Sequence, residues 1–263
     1  MAELEGKVAV ITGGATGIGG AAAELFAAEG ATSVILDYNE DDGTALAQRI
    51  SASGQFGYFI RVDIRQEKSV AAAFAEVETR FGGAHVIVAS AGVLKGAYKP
   101  ITELPESDWD ATLDTNLKGT FLTAKYGAPL LVRNPDSVFI LIASGAGVTG
   151  GSSSHAYAAS KAGIHGMQHK IRQEYGDRGM RVYCICPGGI NTPLKIENIG
   201  QGAEADGRDP QAAMEAAKKT LGDQPWITSV LELLPEPPPQ NDSEQEKRTS
   251  VVTDKPAGDT DDA

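Results

Sequence analysis

Short runs that are apolar throughout recur along this chain, and stretches with helical spacing separate them. Lys7-Val8-Ala9-Val10-Ile11-Thr12 opens the series, and Ser33–Asp37, Phe59–Asp63, His85–Ala89, Ser137–Ala143 and Arg181–Cys186 continue it. Helical patterns fill Gly17–Glu29, Glu40–Ile50, Glu67–Phe81, Ser107–Leu131 and His155–Tyr175, with a break expected near Asp110. A strand without a polar face must be covered on both sides, which predicts a parallel sheet with helices on each face. Right-handed crossovers then give a doubly wound, Rossmann-type α/β sheet.

The 263-residue chain suits one such domain, over 1–234, without disulfide staples. Beyond a helical stretch at Trp226–Leu234 comes Pro235-Glu236-Pro237-Pro238-Pro239, which ends any helix. From there to Ala263 the composition is Pro-rich, acidic and poor in apolar residues, so 235–263 reads as a disordered tail. The formal charge of -12 argues against nucleic acid or an anionic membrane as partner. The first residues lack a basic leader pattern, and no stretch approaches the ~18 apolar residues of a membrane span. A cytoplasmic protein is the expectation.

The chemistry begins at Thr12-Gly13-Gly14-Ala15-Thr16-Gly17-Ile18-Gly19, between the first strand and the first helix. Glycines there let the backbone turn sharply and approach a pyrophosphate at a helix N-terminus. Asp37 ends the second strand, roughly 20 residues on, where a carboxylate accepts from ribose hydroxyls and repels a 2′-phosphate. Glu40, Asp41 and Asp42 add negative charge, and neither this stretch nor the Gly loop holds Arg or Lys. This pattern favours NAD over NADP. Farther on, Tyr157 and Lys161 stand four apart on a helix and share a face. An ammonium beside a phenol favours the phenolate and brings its pKa down from about 10. Ser144, just past the fifth strand, and Asn116, on a helix, complete the set.

With these residues the chain resembles the short-chain dehydrogenase/reductase family. Four family motifs stand in order: the loop Thr12–Gly19, Asp114-Thr115-Asn116-Leu117-Lys118-Gly119, the set Ser144/Tyr157/Lys161, and Pro187-Gly188 after the sixth strand. The resemblance covers about Leu4 to Leu234. It implies hydride transfer between NAD(H) and a small secondary alcohol or ketone. Tyr157 would be the acid/base, with Ser144 on the substrate oxygen. Lys161 would hold the nicotinamide ribose and lower the Tyr157 pKa, and Asn116 would help hold a proton-relay water. Gly13, Gly17, Ile18 and Gly19 would cradle the cofactor, Asp37 its ribose and Asp63 its adenine, with Ile190 and Thr192 on the carboxamide.

The chain also departs from the family pattern. Ser90-Ala91-Gly92 stands where Asn-Ala-Gly is usual, and the usual seventh strand is replaced by the Pro-rich tail. That would leave the sixth strand an open edge, prone to pairing with another copy in a homo-oligomer. The segment from Glu197 to Lys219 is polar and Gly/Ala-rich and suggests no clear substrate pocket. Two other readings fit the same residues: a truncated NAD-binding pseudoenzyme or regulator, and a 3-oxoacyl-thioester reductase, a class that mostly uses NADPH. Cys184 and Cys186, two apart on one strand, point to the same face and read as reduced thiols. His165 and His169 have a zinc-ligand spacing, but no third ligand is evident, so no metal is expected.

Overall fold

The computed structural model describes residues 3–221. The expected Trp226–Leu234 helix, the absent seventh strand and the 235–263 tail lie outside the described residues. Six parallel strands form one sheet: β1 (Val8–Thr12), β2 (Thr32–Asp37), β3 (Phe56–Arg61), β4 (Val86–Ala89), β5 (Val138–Ile142) and β6 (Arg181–Ile185). Their spatial order is β3-β2-β1-β4-β5-β6, so the winding reverses between β1 and β4. In a doubly wound sheet the crevice at that reversal, outside the carboxyl ends of the strands, is where a ligand fits.

Alternation along each strand divides the core in two. Val8 and Val10 of β1 face one side, with Phe139, Leu141, Val182 and Cys184. Ala9 and Ile11 face the other, with Ile35, Ile140 and Tyr183. The first side is covered by α3 (Glu67–Phe81), α5 (Gly119–Leu131) and α7 (His155–Tyr175), through Phe74, Leu122 and Ile164 among others. The second is covered by α1 (Gly17–Ala28) and α2 (Glu40–Ala52), through Phe26 and Leu46. Phe26 is fully buried, and truncating such a ring costs about 3–5 kcal/mol.

Two expectations need correction. The third strand is Phe56–Arg61, not Phe59–Asp63. It lies at the sheet edge and is largely half-exposed, so its pattern is not the continuous apolar run of a central strand. The long helix does not break at Asp110. Instead α4 (Glu106–Leu113) passes through a π-helical turn at Asp114–Lys118 into α5. The turn contains Asn116, whose side chain bonds the Val93 backbone in the loop after β4. The polar segment after Ile190 forms two helices, α8 (Pro193–Ala205) and α9 (Pro210–Thr220). Each starts with a side-chain cap, Thr192 or Asp209, followed by Pro at the first helical position. A short helix, α6 (Ala146–Thr149), precedes α7. No helix among the described residues is long and apolar enough to cross a membrane.

Candidate active site

The carboxyl ends of β1, β2, β4, β5 and β6 open onto one cavity of about 1350 Å³. Its walls include Gly13, Gly17, Ile18, Asp37, Asp63, Ser144, Tyr157, Lys161, Ile190 and Thr192. The sequence motifs therefore meet at one place, although they are spread over most of the chain. Of the expected set, Gly19 and Asn116 lie outside the lining and act from behind it.

Gly19 is needed because a Cβ there would collide with the carbonyl oxygen of Gly13. Gly13 adopts φ +66°, and a Cβ on it would lie 2.5 Å from Ala91 Cα. Only residues without a Cβ let the loop pack this closely on the Ala91 backbone and on itself. Asp37 fixes the next turn. Its Oδ2 accepts from Ala15 N and its Oδ1 from Asn39 N, both at 3.0 Å.

Two features of the adenosine end were not visible in the sequence. The β2–β3 register pairs Asp37 with Arg61, which brings a cation beside the supposedly cation-free region. The Tyr38 ring lies under the guanidinium groups of Arg61 and Arg65, 5.1 and 5.8 Å from its centroid. Arg65 also grips Asp63 with two bonds of 2.9 Å, which holds the Asp63 carboxyl below its usual range. Asp63 therefore lines the cavity already paired. Glu40, Asp41 and Asp42 form the first turn of α2, where Asn39 caps Asp42 N, so helix electrostatics account for them. Only Asp37 carries the local argument against a 2′-phosphate.

At the other end of the cavity, α7 carries Tyr157 and Lys161. Ser154 caps it by accepting from Tyr157 N at 3.3 Å and donates to Lys95 O at 2.7 Å. One turn later Lys161 lies beneath Tyr157, its Nζ 5.5 Å from the ring centroid. Tyr157 and Ser144 both line the cavity, and Ser144 Oγ accepts from Ala146 N at 3.2 Å. Burial pushes the Tyr157 phenol up, against the lowering effect of Ser144, so the expected depression is not present in this state. The Lys161 ammonium donates to Ile142 O at 2.7 Å, and burial brings its pKa down to about 8.

Asn116 is fully buried. Its Oδ1 accepts from Val93 N at 2.8 Å, and its Nδ2 donates to Val93 O at 2.9 Å and to Ser160 Oγ at 3.0 Å. Ser160 Oγ in turn donates to Tyr157 O at 2.8 Å. The π-helical turn is thereby tied both to the loop after β4 and to α7. Such interruptions of a helix are frequent at functional sites.

Residues 7–201 match the family model described as short chain dehydrogenase. The chain belongs to the short-chain dehydrogenase/reductase family. Among members of this family, tropinone reductase-like 2 of Erythroxylum coca is 37% identical over 223 residues, which are 84% of this chain and 79% of the relative. In structure the chain is similar to levodione reductase, with TM-score 0.79, 26% identity and coverage of 88% of this chain and 91% of the other. A short-chain dehydrogenase from Shigella flexneri complexed with NADP gives TM-score 0.75 at 26% identity, covering 89% of this chain and 92% of the other. A nicotinamide cofactor, the hallmark of this oxidoreductase family, fits the glycine loop, whose Gly13 and Gly17 line the cavity, and the carboxylate at Asp37.

The family's outer pocket wall was not legible in the polar segment 197–219. Here it is built by α8, whose Leu194, Lys195, Glu197, Asn198 and Gln201 line the cavity. Asn198 Nδ2 donates to Ser153 Oγ at 2.7 Å, linking α8 to the segment before α7. The Thr192-Pro193 and Asp209-Pro210 pairs are the sequence signals that could have located both helices.

Proposed function

We propose that this chain is an NAD(H)-dependent oxidoreductase acting on a small secondary alcohol or ketone, with Tyr157 as the proton carrier. The carrying observation is that Ser144, Tyr157 and Lys161 meet on one cavity wall, with the buried Lys161 ammonium beneath the Tyr157 ring. A bound nicotinamide would supply or accept the hydride. The protein must place the substrate oxygen between Ser144 and Tyr157 and move one proton. Because burial raises its pKa, Tyr157 is a phenol at neutral pH, ready to donate to a carbonyl oxygen. In the reverse direction it must accept the alcohol proton. The phenolate-favouring groups are then the Ser144 hydroxyl and the Lys161 charge. Lys161 has three N–H donors, so it can keep Ile142 O while another donor reaches a ribose hydroxyl. Asn116 positions this machinery through Ser160 and Val93.

Asp37 supports NAD as the cofactor, since a carboxylate at the end of the second strand accepts from ribose hydroxyls and repels a 2′-phosphate. A second reading, NADP, is favoured by Arg61 and Arg65 close by. Both guanidinium groups already face acids, Arg65 on Asp63 and Arg61 3.7 Å from Glu40, which favours the first reading. The test is kcat/KM for both cofactors with purified protein and a panel of secondary alcohols, cyclic diols and steroids. A preference for NAD⁺ on the order of 10², about 2.7 kcal/mol, is expected, and Asp37→Ala should erode it. Equal use of NADP⁺ by the unmutated chain would overturn the NAD assignment and make Arg65 the phosphate partner. Turnover with neither cofactor on any substrate would favour a cofactor-binding protein without catalysis.

A further inference from the structure

Behind the Tyr157/Lys161 pair, α7 and β6 bring together three groups with no part in the chemistry above. Cys184 is buried, and Cys186 and His165 are half-buried. The His165 ring meets the two sulfurs along its nitrogen edge: Nδ1 is 3.6 Å from Cys184 Sγ and Nε2 is 3.6 Å from Cys186 Sγ. One donor atom from each of the three residues lies within 4.8 Å of the others. His169, the residue that pairs with His165 by sequence spacing, is exposed and stands outside the cluster.

The spacing suits a shared ion better than a bond between the sulfurs. Residues two apart on a strand have Cα atoms roughly 6.6 Å apart, at the far limit for a disulfide. By contrast, Zn²⁺ binds thiolate sulfur at about 2.3 Å and imidazole nitrogen at about 2.0–2.1 Å. Ligands around one tetrahedral ion are then separated by roughly 3.5–4 Å, within the 4.8 Å span that holds one donor atom from each of the three residues. The second ring nitrogen is also provided for. His165 Nε2 lies 3.4 Å from Ser144 O, so Nδ1 can bind the ion while Nε2–H donates to that carbonyl. Metal-binding histidines characteristically give their other N–H to such an acceptor. Two thiolates and one imidazole select a soft d¹⁰ cation over Mg²⁺ or Ca²⁺.

We propose that His165, Cys184 and Cys186 form a three-ligand site for a thiophilic d¹⁰ divalent cation of the zinc class, and that its occupation lowers turnover. Water would take the fourth position. The ion would displace two thiol protons on binding. It would also bring positive charge towards the Lys161 ammonium, which already interacts electrostatically with both sulfurs. The inhibitory part rests on Lys161 belonging to the reaction centre, whereas the binding part does not.

The experiment titrates the reduced full-length protein with Cd²⁺ under a non-thiol reductant. Binding is followed by the ultraviolet thiolate-to-metal charge-transfer band and turnover is measured in parallel. The expected result is a band that saturates at one equivalent per chain, with turnover falling at least about tenfold over the same equivalent and returning on chelation. Cys186→Ala and His165→Gln, with folding checked by circular dichroism, should keep turnover without Cd²⁺. They should weaken Cd²⁺ binding at least about tenfold, about 1.4 kcal/mol. No band at one equivalent, or equal bands in wild type and both variants, would overturn the site. A saturated band with unchanged turnover would overturn its coupling to the reaction centre. If the unmetallated protein lacks turnover, the charge-transfer band still decides the binding claim by itself.

Discussion

Asn116 offers the sharpest energetic test of how the site is held. Its side chain is fully buried and makes three hydrogen bonds, two to the Val93 backbone and one to Ser160 Oγ. At about 1 kcal/mol per bond, Asn116→Ala should cost about 3 kcal/mol, more if Val93 N–H finds no new acceptor. For a domain of this size each kcal/mol shifts Tm by about 2–4 °C, so thermal unfolding should show a fall of about 6–12 °C. Asn116→Asp is more diagnostic. It keeps the acceptor for Val93 N but places an oxygen where Nδ2 now faces Val93 O. A protonated carboxyl can donate there, whereas an ionised one is repelled and desolvated, so its folded-state pKa should rise above the ordinary value of about 3.9. The folded state then binds more protons than the unfolded state between these two pKa values, and stability must fall as pH rises through that window. The Asn116→Asp deficit should therefore be smaller at pH 5 than at pH 8. A deficit below about 2 °C for both variants, or one flat with pH for Asn116→Asp, would refute the hydrogen-bond account of the π-helical turn.

Lys161→Met should raise Tm at pH 7 while abolishing turnover, because it removes a buried charge whose cost is visible in the pKa brought down to about 8. With Lys161 depressed from 10.5, the unfolded state binds more protons between those values, so wild-type stability rises with pH there and the variant's advantage should shrink. Unfolding curves across pH 7–10 check this, and a variant less stable at pH 7 would contradict it. Gly13→Ala puts a Cβ against the Ala91 backbone at a positive φ. NADH binding, followed by fluorescence, should weaken at least about tenfold, about 1.4 kcal/mol, and unchanged binding would show that the loop can relax.

The sheet was legible because its central strands bury both faces. Val8–Thr12 and Val138–Ile142 are buried at every residue, and no helix pattern competes with such short apolar runs. At the edge the signal fades. β3 is half-exposed and contains Gly57, so its boundaries shifted by two or three residues from the expected span. That the motif residues would meet was legible through their order, whereas what surrounds them depended on register and long-range contact. No local pattern says that β3 will place Arg61 beside Asp37, or that the Asn116 side chain will reach Val93 from a π-helical turn. The cluster of His165 with Cys184 and Cys186 is of the same kind, because α7 must dock on β6 before the three meet.

The central claim is that Tyr157 carries the proton, and Tyr157→Phe tests it most directly. Phe keeps the ring above Lys161 and removes only the hydroxyl. The decisive measurement is turnover of this variant with NAD⁺ and a secondary alcohol accepted by the wild type, alongside NADH affinity for both proteins. The account predicts near-complete loss of turnover with NADH affinity close to wild type. Retention of more than about a tenth of the wild-type rate would contradict it, since general acid–base catalysis is worth about 10²–10⁴-fold.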